Sequence, residues 1–316
     1  MAGAVPSTTG PSTTGAPPTA GPLPMTRGRR AALVIGVPVC LLLVAYGGFG
    51  LVANFGEGSY PVKYTVPASA KSLTMNVAGG QLLIKPTAAS PARLAGTARY
   101  SLVRSTLTEH TAGGGTTVGY RCRVPVGECA LDATVAVPAS LPVSASTAGG
   151  NAAVSGTADP VTLSTGGGDL AADHTAGPLT LNTSGGNITV TAIRSATMTA
   201  TTGGGNINAA GLDSTRVTAR TTGGNITATG VGSADFTAST GGGGIDIVFT
   251  SVPRDVQVNT SGGNITLVLP SGGTQYDVTA HTNGSITDSI LHNATSGNVI
   301  TATSGGGDIT IRYPGQ

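Results

Sequence analysis

A short glycine-rich phrase returns at nearly even spacing through the second half of the chain, and few folds can accommodate it. It reads STGGGDL at Ser164–Leu170, TSGGNI at Thr183–Ile188, TTGGGNI at Thr201–Ile207 and TTGGNI at Thr221–Ile226. It continues as STGGGGI at Ser239–Ile245, TSGGNI at Thr260–Ile265 and TSGGGDI at Thr303–Ile309. The aliphatic residues closing each phrase, with Ile286, are separated by steps of 18, 19, 19, 19, 20, 21 and 23 residues. A period near 20 marks a solenoid. Gly, Thr, Ser and Asn are poor helix formers, which excludes a helical repeat. The residues around each phrase alternate as strands do, as in Ile188-Thr-Val190 and Ile309-Thr-Ile311. A second apolar position precedes each phrase by about nine residues, from Val161 and Leu179 to Val278 and Ile300. Each turn therefore holds two short strands, with a contour of roughly 60 Å and a stacking distance of ~4.8 Å. The expected fold is all-β: a parallel β-helix, or β-solenoid, with turns of about 19 residues.

The corner chemistry follows. Glycine reaches φ > 0 without strain, and Asn and Asp are the next best residues there. Asn187, Asn206, Asn225 and Asn264 share one column with Asp169 and Asp308. Their side chains are expected to form a structural ladder that hydrogen-bonds from turn to turn. The Ser/Thr pair before each Gly-Gly is read as a second ladder. A ligand site made of the same columns is the competing reading.

Residues 1–26 are Pro, Ser, Thr, Gly and Ala with no charged side chain, a composition of a disordered tail. Arg27, Arg29 and Arg30 then precede the apolar run Ala31–Phe55. As a helix that run spans roughly 37 Å, enough to cross a bilayer. Residues 27–55 are thus a single-pass signal anchor, with the arginines and the tail cytoplasmic and the rest of the chain extracytoplasmic. A cleaved signal peptide is the competitor, for which Leu51-Val52-Ala53 is a poor cleavage site. Cys40, with no small residue before it, is an apolar membrane residue rather than a lipid attachment site.

Residues 57–141 are less regular, with strand-like stretches at 62–66, 72–77, 81–85, 98–103 and 133–137 punctuated by prolines. A solenoid needs an atypical end turn to cover its core, and this region is the expected cap on the repeats at 142–316. Cys122 and Cys129, the only cysteines beyond the membrane segment, are expected to form a disulfide in an oxidising compartment. No further ligands complete a metal site around them.

Catalytic signatures are missing from the sequence. His110, His174, His281 and His292 are scattered, there is no G-x-S-x-G elbow, and no lysine follows Lys85 to close a phosphate loop. Calcium-binding repeats need Asp where this column is mostly Asn. A glycan-cleaving β-helix needs paired carboxylates, for which Asp169, Asp173 and Asp246 are the candidates. Thr-x-Thr occurs at Thr189–Thr191 and Thr227–Thr229 but does not persist in successive turns as an ordered-surface binder would require. From Asp159 onward there are ten Asp against five Arg, so no basic face exists for nucleic acid. No cofactor is called for.

The Gly-Gly-Asn/Asp-Ile turns behind the Val135–Ala139 segment VAVPA resemble a bacterial putative-adhesin family of unknown function, over roughly residues 73–313. That resemblance implies a β-helix displayed outside the bacterial membrane, and it carries over no catalytic residues. The departure from the repeat at 283–298, where NGSI replaces GGNI, leaves the last turn's register open. The expected role is structural or adhesive and non-enzymatic: a membrane-anchored solenoid binding a cell-wall or other envelope polymer. The alternatives are an envelope sensor and a glycan-active enzyme.

Overall fold

The computed structural model describes residues 57–122 and 127–316, together with the isolated Val39. The tail at 1–26 and the membrane segment at 27–55 lie outside this set apart from that one residue. The described residues form two sheets, one of thirteen strands and one of twelve. Each coil of the solenoid contributes one strand to each sheet. In the thirteen-stranded sheet Ala152–Ser155, Leu170–Asp173, Ile188–Ile193, Ile207–Leu212, Ile226–Val231, Ile245–Phe249 and Ile265–Val268 run parallel in succession. In the other sheet the matching succession is Val143–Thr147, Val161–Thr165, Leu179–Thr183, Thr197–Thr202, Arg216–Thr221, Asp235–Thr240 and Asp255–Thr260.

The aliphatic columns read from the sequence stack in register. Leu170 pairs with Ile188, then Ile207, Ile226, Ile245 and Ile265. Every one of them is buried between the sheets. One coil offers only a row of small apolar side chains, so the core exists only when coils stack. Phe236 and Phe249 meet edge to face, with ring centroids 5.8 Å apart, inside the core.

Both ends of the stack depart from chain order. At the N-terminal end the coil of Ser72–Val77 and Leu82–Thr87 lies directly on Val143–Thr147 and Ala152–Ser155. The later coil of Gly115–Tyr120 and Cys129–Pro138 lies outside it. Beyond that coil the pairing turns antiparallel: Arg93–Ser101 and then Glu57–Thr65 on one sheet, Leu107–Ala112 on the other. Residues 57–122 and 127–141 thus occupy the N-terminal end of both sheets. At the other end the last coil of the chain, Val299–Ser304 and Ile309–Arg312, inserts between the coil of Asp255–Thr260 and that of Asp277–His281. The irregular NGSI coil is therefore outermost. The reason is chemical, since the final coil carries the full phrase TSGGGDI and extends both corner ladders. The NGSI coil cannot do so in both directions and leaves Ile286 48% exposed.

Candidate functional site

Each coil turns twice, and the two corners obey different rules. The glycine corner links a strand of the twelve-stranded sheet to one of the thirteen-stranded sheet. Its length is constant: Val161 to Leu170, Leu179 to Ile188, Met198 to Ile207, Val217 to Ile226 and Phe236 to Ile245 are nine residues each. Two hydrogen-bond chains run through it. A buried Thr Oγ donates to a glycine carbonyl of the preceding coil and accepts from a glycine N–H of its own. Thr202 Oγ1 donates to Gly186 O at 2.8 Å and accepts from Gly205 N at 3.1 Å. Thr165, Thr183, Thr221, Thr240 and Thr260 repeat the pattern. Beside it runs the column predicted from the sequence. Asp169 Oδ1 accepts from Asn187 N at 2.7 Å, Asn187 Oδ1 from Asn206 N at 2.9 Å and Asn206 Oδ1 from Asn225 N at 2.8 Å. Asn225 Oδ1 accepts from Gly244 N and Asn264 Oδ1 from Asp308 N. The ladder runs from side-chain oxygen to backbone N–H. Only Asn187 Nδ2 to Asp169 Oδ1, at 3.3 Å, links two side chains. Because only Oδ1 is needed, Asp and Asn serve alike.

The variable corner, on the opposite side of each coil, changes length. From Leu170 to Leu179 is nine residues, from Ile188 to Met198 ten, and from Ile245 to Val256 eleven. It also gathers charge. The buried Asp235 carboxylate accepts from Nε and Nη2 of Arg254 at 2.6–3.0 Å and from Arg216 Nη2 at 3.2 Å, from the coils on either side. The Arg254 hydrogen bonds, with weaker help from Arg216, hold its carboxyl below the usual carboxylate range against the opposing effect of burial. A groove of about 680 Å³ opens on the same corner. Its floor contains Gly211, Gly230 and Gly232, and its rim carries His174, Arg194, Asp213, Thr250 and Ser251. Gly211 and Gly230 sit at φ 66° in a left-handed column that also includes His174 at 49° and Ala192 at 52°. That backbone is rarely adopted by residues with a Cβ. His174 Nδ1 lies 2.8 Å from Asp173 Oδ1.

The other predicted positions are placed as follows. Cys122 and Cys129 are bonded, Sγ to Sγ, at the N-terminal end. Asp169, Asn187 and Asn206 line a second hollow of about 540 Å³ on the thirteen-stranded sheet, with Leu83, Ala153 and Ala171 as its apolar part. Asp169 and Asp173 stand at opposite ends of one strand, roughly 13 Å apart at ~3.3 Å per residue. Asp246 is four coils further on, between Thr227 and Thr266. These three carboxylates are not brought together. Among the described residues no three His, Cys, Asp or Glu side chains gather as a metal site. Burial pushes the Tyr120 and Tyr276 phenols up to about 12, so both stay neutral in the core.

The structure also brings out a column that the sequence reading missed. Thr162, Thr180, Thr199, Thr218 and Thr237 align on the outer face of the twelve-stranded sheet in five successive coils. Ser164, Asn182, Thr201, Arg220 and Ser239 form a parallel second column. The Thr-x-Thr pairs noted in the sequence lie on the other sheet. The available signal was the threonine between the two inward apolar residues of each of these strands, as in Leu179-Thr180-Leu181.

With this geometry in hand the class is plain: a parallel β-solenoid of about 19-residue coils whose grooves and faces lie on a repetitive body. The chain belongs to the Toastrack DUF4097 family, whose model matches residues 154–312. Among solved structures it resembles a putative adhesin from Bacteroides fragilis at 14% identity and a TM-score of 0.41, covering 81% of this chain and 97% of the other. A putative adhesin from Parabacteroides distasonis matches at 11% identity and a TM-score of 0.46, covering 80% and 97%. A putative lipid binding protein from the same species matches at 11% and 0.45, covering 79% and 96%. No curated protein matches the sequence.

Proposed function

We propose that this chain is an adhesive or structural module of the bacterial envelope, held in the membrane by residues 27–55 and presenting the solenoid on the outer side. The arginines before the apolar run and the pairing of Cys122 with Cys129 support that orientation. The reading rests on the hydroxyl face of the twelve-stranded sheet. Five threonines recur there at the ~4.8 Å strand spacing, flanked by a second column that is uncharged except at Arg220. Such an array offers one weak hydrogen-bonding contact per coil to a repetitive partner, and many weak contacts add as avidity. An uncharged envelope polymer suits it better than a polyanion or nucleic acid.

The test is retention of the purified protein on fractionated envelope polymers. We expect a triple Thr180→Lys, Thr199→Lys, Thr218→Lys variant to lose at least about tenfold in binding through lost avidity. Each single Asp→Asn variant should bind as the unaltered protein does. Equal retention of the triple variant, or abolition by one Asp→Asn change, sinks the reading.

A further inference from the structure

In solenoids, insertions collect on one side, and that side often binds. Here the side is the variable corner, and its groove is assembled from five consecutive coils. The register is fixed by backbone bonds from Arg194 N to Thr175 O, from Asp213 N to Ile193 O and from Gly232 N to Leu212 O. Arg194 and Asp213 are therefore neighbours in adjacent coils, yet they form no ion pair with each other. Among the described residues Arg194 has no carboxylate within ion-pair distance, while Arg216 and Arg254 of the same corner are both engaged with Asp235.

Gly232 creates the hollow. A Cβ there would meet Ser251 Oγ at 3.7 Å and Asp213 Oδ1 at 3.8 Å, so a carboxylate oxygen and a hydroxyl oxygen face the same gap. One coil from Asp213 and two from Gly232, Arg194 supplies the opposite charge, and His174, a further coil on, lines that end of the groove. The His174 imidazole is oriented by Asp173 and carried on a left-handed backbone. A site of this kind accepts an ammonium at Asp213 and Ser251 and a carboxylate at Arg194.

We propose that the groove binds the zwitterionic end of an amino acid, with an α-ammonium and an α-carboxylate on one carbon. A neutral sugar leaves both charges without partners. An anion is repelled by Asp213, and a cation is repelled by Arg194. The chemistry of the groove does not depend on the envelope reading. The groove itself is distinct from the threonine face.

The experiment uses the full chain and three soluble probes: alanine, N-acetylalanine, which lacks the ammonium, and alanine amide, which lacks the carboxylate. Binding is read by saturation-transfer NMR. Alanine should bind at least about tenfold more tightly than either derivative, the effect of losing one charge-assisted hydrogen-bond set. Arg194→Gln should remove the preference over alanine amide, and Asp213→Asn the preference over N-acetylalanine. Gly232→Leu should abolish binding by filling the hollow. Its Cβ meets only ordinary contacts of 3.4–3.8 Å, so an unchanged melting temperature is expected. The proposal is overturned if alanine does not bind, if the three probes bind alike, or if Gly232→Leu binds alanine as the unaltered protein does. A Gly232→Leu protein that still binds envelope polymer while losing alanine leaves the threonine face intact and confirms the groove as a separate site. Loss of polymer binding in the triple Thr→Lys protein with alanine binding retained separates them from the other direction.

Discussion

The two corners of one coil are made by the same chain under opposite constraints. At the glycine corner the regular coils all spend the same number of residues, and the Thr and Asn/Asp columns hydrogen-bond from one coil to the next. A change there propagates along the stack, because the carbonyl accepting from one threonine belongs to the glycine that donates to another. At the variable corner length drifts from coil to coil and the polar chain is broken. Ser195 and Ser214 share a hydrogen bond at 3.2 Å, while the hydroxyls of Thr175 and Ser233 are buried without a partner. The first corner sets the pitch of the solenoid. The second is free to vary, and the ion pairs of Asp235 and the larger groove lie there.

The sharpest way to break the comparison is to substitute two adjacent glycines of one glycine corner. A Cβ at Gly205 would lie 1.9 Å from Gly186 O, a backbone atom that cannot move without shifting the coil below. At Gly204 the nearest atom is 3.8 Å away. Gly205→Ala should cost upwards of about 3 kcal/mol in denaturant unfolding, and Gly204→Ala should stay within about 0.5 kcal/mol. Equal costs would show that these glycines serve backbone freedom rather than close approach.

The next effect belongs to the variable corner. Asp235 is buried, but Arg216 and Arg254 are 63% and 66% exposed on their side chains, which screens the pair. Asp235→Asn should cost about 1–2 kcal/mol near neutrality. Because the folded-state carboxyl is held below its unfolded value, its contribution is present above the ordinary carboxylate pKa of ~3.9. It is lost as pH falls through the lower folded value. Urea unfolding across the acid range should show that rise with pH in the unaltered protein and a flatter curve in Asp235→Asn.

The legibility of the molecule from its sequence follows the same division. The glycine corner repeats one phrase, so its period, its strands and its Asn/Asp column could be read before any coordinates. What could not be read is which coil stacks on which when two coils at an end compete. Only the ladders decide that the TSGGGDI coil sits inside and the NGSI coil outside. The strands Leu107–Ala112 and Gly115–Tyr120 also escaped notice. The first is an exposed edge with no buried alternation, and the second is rich in Gly and Thr. The groove of His174, Arg194 and Asp213 left no motif, because its members come from separate coils and meet only through stacking. The threonine face was obscured by Thr-x-Thr pairs that belong to the other sheet.

The smallest predicted effect tests why Asp and Asn interchange at the glycine corner. Asn206 uses Oδ1 to accept from Asn225 N, and its Nδ2 makes no bond within the ladder. Asn206→Asp keeps the acceptor and should change stability by less than about 0.5 kcal/mol. Asn206→Ala removes it and leaves the Asn225 N–H to water at an exposed corner, a loss of about 1 kcal/mol. The exposure keeps this below the cost of a buried orphan, and the local opening should appear as faster amide exchange at Asn225. If Asn206→Asp is as costly as Asn206→Ala, the amide nitrogen matters after all, and the presence of Asp169 and Asp308 in the column needs a different cause from the one given by the hydrogen bonds.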